Sequence, residues 1–139
     1  MPRSERRTLG VALLGCGAAA RQYHLRALRA DPRVRLLAVA DPSTAALAAA
    51  RLPGGARATR DPGEAMAAPG VEAAVIAAST PVHEALARAA IEGGLHAYVE
   101  KPVALDTAAA ESLAALARRS GRICAAGFNY RTNPAFARL

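Results

Sequence analysis

Short, almost wholly apolar runs alternate along this chain with segments of helical periodicity, and that alternation limits the fold more than any other feature. The runs at 9–14, 34–40, 71–78, 95–99 and 123–128, together with a short segment at 56–59, read as six strands. Near-continuous apolar character marks strands buried on both faces, as in a parallel sheet. Helices are predicted over 18–30, 43–52, 82–92 and 107–120, with a further one starting at Asp61. Their ends carry recognisable stops: Asp31-Pro32, Pro53-Gly54-Gly55, Gly93-Gly94 and Gly121. Asp106 is the expected cap of the last helix, and Asp61-Pro62-Gly63-Glu64 reads as a capping box with proline at the first helical position. Parallel neighbours need crossovers, which are right-handed. Six strands with five crossovers therefore predict an α/β, doubly wound Rossmann sheet in the order 3-2-1-4-5-6.

The 139 residues make one domain, 1–139, short for a complete two-domain enzyme. With 53% hydrophobic but only 4% aromatic residues, and alanine dominant, the core must be built from small side chains on closely packed helices. Cys16 and Cys124 belong to no C-x-x-C pair, so reduced thiols in a cytoplasmic protein are expected, and no metal site. The net charge of +7 raises the question of a nucleic-acid partner. Arg21, Arg26, Arg29, Arg33 and Arg35 form the densest group, yet helical spacing spreads them over several faces, and no aromatic platform accompanies them. They read as a solvated surface. Arginines at 3, 6 and 7, an apolar run and Leu13-Leu14-Gly15-Cys16 mimic a lipoprotein signal. Cleavage there would delete the first strand, and no stretch reaches a membrane span, so no membrane partner is expected.

Gly15-Cys16-Gly17-Ala18-Ala19-Ala20 is a G-x-G-x-x-A turn between a strand and a helix. The first glycine permits the tight turn, the second lets a pyrophosphate approach the backbone, and a small third residue lets helix pack on strand. The helix start offers unpaired N–H groups to phosphate. Asp41 ends the next strand, twenty-one residues after Ala20. It fits as acceptor for both adenosine ribose hydroxyls, the local alternative being a cap for the helix near Ser43. Lys101 is the single lysine among eighteen basic residues, in Glu100-Lys101-Pro102 just past the fifth strand. It is either a chance survivor in an arginine-rich chain or retained for its compact ammonium.

The chain resembles the N-terminal half of the Gfo/Idh/MocA oxidoreductases. The resemblance rests on Leu14-Gly15-Cys16-Gly17, Tyr23-His24-Leu25, Val39-Ala40-Asp41, His83-Glu84-Ala85-Leu86 leading through Ala90, Gly94 and His96 into Glu100-Lys101-Pro102, and Gly127-Phe128-Asn129-Tyr130-Arg131 ahead of Pro134. It implies an oxidoreductase that binds NAD for hydride transfer to or from a sugar, cyclitol or related hydroxy compound. It implies that Lys101 contacts the substrate hydroxyl beside the nicotinamide and that Pro102, commonly after a cis peptide, shapes that corner. Glu100 either orients the ammonium or simply ends the strand. Ser79, Thr80 and Pro81 fall where the fourth strand delivers its loop to the cofactor; aligning on His83 selects Ala78-Ser79, whereas residue identity selects Thr80-Pro81. His24 and His83 are candidates for the same pocket. NAD is expected over NADP because Asp41 would repel a 2′-phosphate, with Arg51 or Arg57 able to weaken that preference. Family enzymes continue into a second domain that carries most substrate contacts. The expectation is thus a domain completed by a missing half or a partner chain, with the sixth-strand side available for self-association; the alternative is a stand-alone nucleotide-binding module without turnover.

Overall fold

A computed structural model describes residues 7–135, and Arg3 and Arg6 of the N-terminal basic group lie outside them. In β1 (Leu9–Leu14) every side chain after Leu9 is buried, as a strand covered on both faces requires. It is flanked by β2 (Val34–Ala40) and β4 (Ala73–Ile76), with β3 (Arg57–Thr59) beyond the one and β5 (His96–Val99) and β6 (Cys124–Ala126) beyond the other. All pairings are parallel and the order is β3-β2-β1-β4-β5-β6. Leu14 pairs with Ala40 and Ile76, Ile76 with Val99, and Val99 with Ala126. The carboxyl ends of five strands therefore finish level along one rim, the place where open α/β sheets take ligands.

Two cores lie on opposite faces of the sheet. Ala12, Leu14, Ala38, Ala40, Ala74, Ile76, Ala97 and Val99 face α3 (Pro62–Met66), α4 (His83–Glu92) and α5 (Thr107–Arg119). Leu13, Leu36 and Val39 face α1 (Leu25–Ala30) and the end of α2 (Thr44–Ala49), meeting Leu25 and Ala50. A register shift opposite Val11 and Ala12 leaves Leu37 without a partner on β1, so Leu36 and Val39 share a face despite their odd spacing. Ala87 and Ala90 of α4 are fully buried, and their small size lets that helix sit close to the sheet.

β4 and β6 are shorter than the runs expected at 71–78 and 123–128, and three helical elements also differ from expectation. The helix predicted over 18–30 contains a π-helical turn, Ala20–His24, closed by the Leu25 N–H donating to the Ala20 carbonyl five residues back. The second helix is shorter than 43–52: Ser43 caps it, Ala50 ends it, and Arg51 takes φ 46° ahead of Leu52-Pro53. At α3, Asp61 caps the N–H groups of Gly63 and Glu64 as expected, but Glu64 does not reach back to the Asp61 N–H. Its carboxylate instead accepts from the Thr59 hydroxyl, which accepts from the Asp61 N–H at 3.1 Å, so the box closes through a third residue. Among the described residues, no helix is long and apolar enough to cross a membrane.

Candidate functional site

The turn after β1 is built around Gly15, whose φ is +100° and whose absent Cβ would lie 2.6 Å from the Ala77 carbonyl and the Ala78 nitrogen. Only glycine allows the turn to press against the end of β4 in this way. Gly17 is different: a Cβ there would meet no protein atom within 4 Å, so nothing inside the fold demands glycine, and the open space faces the cleft. Ala18, Ala19 and Ala20 begin the helix without any side-chain cap, leaving its first N–H groups to a ligand.

These residues form one wall of a cleft of about 590 Å³ at the strand ends. Gly15, Gly17, Ala18, Ala19, Ala20, Asp41, Pro42, Arg60, Pro62, Ala78, Ser79, Val82 and Leu86 line it. Asp41 is held from two sides: Oδ2 accepts from the Cys16 N–H at 2.7 Å and Oδ1 from the Ser43 N–H at 2.8 Å. Ser43, not Asp41, caps α2. A carboxylate has about four acceptor positions, so two remain for hydroxyls entering the cleft. Arg21 braces the turn from outside, donating to the Cys16 carbonyl at 2.7 Å. The Cys16 thiol lies inside this knot, pushed up to about 11 first by burial and then by the Asp41 carboxylate, so it stays a neutral, unreactive packing group. Cys16 and Cys124 are both free.

The expected site residues divide into two groups. The glycine turn, Asp41 and Ser79 share the cleft, and of the two readings of the β4 loop it is Ala78 and Ser79 that line it. Thr80 and Pro81 belong to a short 3-10 turn, Thr80–Val82, leading into α4. Glu100, Lys101 and Pro102 follow β5, one strand further along the rim, and the Lys101-Pro102 peptide is cis. Lys101 is exposed, and its ammonium has no hydrogen-bond or ion-pair partner among the described residues. His83 is 2% exposed and lies beneath this surface, its Nδ1 2.7 Å from the Pro102 carbonyl oxygen and its Nε2 2.9 Å from that of Ala78. It thus ties the cleft loop to the proline corner. His24 reaches Glu100, 2.8 Å away.

Arg60 was not among the expected residues. Arg57 pairs with Glu64, and the Arg51 carbonyl accepts from Arg29, whereas Arg60 lines the cleft beside Asp41, its Nε donating to the Pro42 carbonyl at 3.0 Å. The sheet order carried the missing signal. Arg60 directly follows β3, and β3 pairs with β2, so its side chain emerges next to the end of β2.

A glycine turn opening a helix, an acidic strand end beside it and a cleft across a doubly wound parallel sheet define a dinucleotide-binding domain of the Rossmann class. More narrowly, residues 9–128 match the oxidoreductase family with an NAD-binding Rossmann fold, GFO_IDH_MocA, and the chain belongs to that family. It is 35% identical over 131 residues to the myo-inositol dehydrogenase Hyg17 of Streptomyces leeuwenhoekii, a match covering 93% of this chain and 39% of that protein. Among solved structures it is similar to GenD2 from gentamicin A biosynthesis in complex with NAD, at 37% identity and a TM-score of 0.89 over 99% of this chain and 40% of that one. It is also similar to biliverdin reductase from Synechocystis sp. PCC 6803 in complex with biliverdin and NADP+, at 28% identity and a TM-score of 0.81, covering 88% and 39%. The chain thus spans about two fifths of the length of the relatives it matches.

Proposed function

We propose that this chain is the cofactor-binding portion of an NAD-dependent oxidoreductase acting on a cyclitol, sugar or related polyhydroxy compound. The observation that carries the reading is the cleft itself, in which open space at Gly17, an uncapped helix start and Asp41 converge. Gly17, Ala18 and Ala19 would hold the pyrophosphate through backbone N–H groups, and the spare acceptor positions of Asp41 would take the adenosine ribose hydroxyls. Bound nicotinamide dinucleotide supplies hydride acceptance or donation. Lys101, on the same rim and with no ammonium partner among the described residues, would hydrogen-bond the substrate hydroxyl and relay its proton. Similarity to inositol dehydrogenases supports the substrate class.

NAD is the preferred form in this reading, because Asp41 places negative charge where a 2′-phosphate would sit. Arg60 acts in the opposite sense, and its bond to the Pro42 carbonyl keeps it close to that phosphate position. Calorimetric titration of the chain with NAD and with NADP is the test. Tighter binding of NAD, narrowed by Asp41→Ala and widened by Arg60→Ala, is expected. Equal affinities for both cofactors would remove Asp41 from the role of discriminator, and absence of binding to either would defeat the reading as a whole.

A further inference from the structure

The π-turn Ala20–His24 interrupts an otherwise regular helix, and its consequence is the direction of His24. An extra residue in a helical turn rotates the side chains around it, and such turns recur at functional sites. Here the imidazole points across the top of the sheet to a residue 76 positions away, with Nε2 2.8 Å from Glu100 Oε1. The contact is sheltered: the His24 side chain is 14% exposed and that of Glu100 30%. The ring also meets Tyr98 of β5 edge-on, with centroids 5.8 Å apart. Past β6, Gly127 leaves the room these groups need, since a Cβ there would lie 2.9 Å from the Tyr98 hydroxyl and 3.1 Å from Glu100 Oε2. Three separate elements have therefore been shaped around one carboxylate.

That carboxylate precedes the only lysine of the chain. Its second oxygen, Oε2, accepts from the Lys101 backbone N–H at 3.1 Å, while the Lys101 ammonium has no partner among the described residues. A free neighbouring carboxylate is the natural partner for a lysine on a flexible stem. We propose that His24, delivered by the π-turn, is a positioning residue that holds the Glu100 carboxylate off the Lys101 ammonium and so leaves that amine available to the site. The chemical use of Lys101 rests on the function proposed above; the placement of Glu100 does not. The titratable groups facing this carboxylate are His24 from the π-turn and Tyr98 from β5, whose phenol is raised by burial and then by Glu100 itself.

With one lysine, amine chemistry reads this directly. The chain is acylated with an amine-specific reagent at about pH 8, below the ordinary lysine range, and peptide mass spectrometry separates Lys101 from the N-terminal amine. His24→Leu and His24→Asn should slow Lys101 acylation by about threefold or more, because a released Glu100 pairs with the ammonium and favours its charged form. His24→Gln, whose amide N–H can replace Nε2, should restore the wild-type rate. Glu100→Gln should react like wild type, and adding it to His24→Leu should abolish the slowing. Wild-type rates in the folded His24 variants, or slowing that persists in the double variant, would overturn the proposal. A large acceleration in Glu100→Gln alone would do so even if no His24 variant folded, since it would mean that the carboxylate already engages the ammonium. A parallel NAD titration of the unmodified chain judges the proposed function separately: loss of that reading leaves the labelling result intact, and the reverse holds as well.

Discussion

Two glycines separated by one residue do different work, and substitution should tell them apart. Gly15→Ala forces a Cβ to 2.6 Å from backbone atoms at a positive φ, so the variant should lose about 2 kcal/mol or more of stability, read as a lower Tm. Gly17→Ala should melt like the parent, within about 0.5 kcal/mol, because no protein atom waits for its methyl group. It should nevertheless bind NAD more weakly, because the methyl group projects into the pyrophosphate's path. Beside them, Cys16 provides a pH signature. Its folded-state value of about 11 lies above the ordinary thiol range, so the stability it contributes is complete below roughly pH 8.5 and is lost as pH rises towards 11. Cys124 is raised in the same direction by burial. Alkylation at about pH 8 should therefore be much slower in the native chain than in the denatured one, and Asp41→Ala should speed it at Cys16 by removing the nearby negative charge.

Helices and strands were legible where their signals are local. β1 and β2 have the bounds their apolar runs suggest, and α5 starts at Asp106, whose side chain accepts from the Ala109 N–H at 2.8 Å. Asp106→Ala should cost about 1 kcal/mol in chemical denaturation, the usual value of such a cap, while Asp106→Asn should retain most of it. The π-turn was not legible, because a run of alanine, arginine and glutamine is equally at home in an α-helix. The wider turn goes together with contacts beyond the segment, Leu25 buried beneath it and His24 reaching Glu100. The closure of the α3 cap through Thr59 escaped for a similar reason. The capping pattern covers Asp61 and Glu64, whereas the third participant ends a neighbouring strand.

Across the whole molecule, one side of the sheet ends in apolar groups left in solvent. Leu105, Ile123 and Phe128 are 72%, 66% and 53% exposed, with Ile123 immediately before the edge strand β6 and Phe128 two residues after it. An exposed edge with such neighbours favours association, so sedimentation of this chain should show a concentration-dependent oligomer that Ile123→Lys weakens. The order of the six strands, their parallel sense, the glycine turn and the place of Asp41 on the rim followed from the sequence by itself. Each depends on periodicity and punctuation within one or two adjacent elements; right-handed crossovers leave a few arrangements, and the glycine turn after β1 with an acidic end on β2 points to the dinucleotide-binding order among them. Arg60 beside Asp41, His83 joining the Ala78 and Pro102 carbonyls, and His24 on Glu100 were decided only by the tertiary structure. These contacts join residues from different elements, and they are set by how far a strand end projects or how a helix is rotated about its axis. Such quantities arise when the sheet twists and the helices dock, and no local pattern of residues carries them.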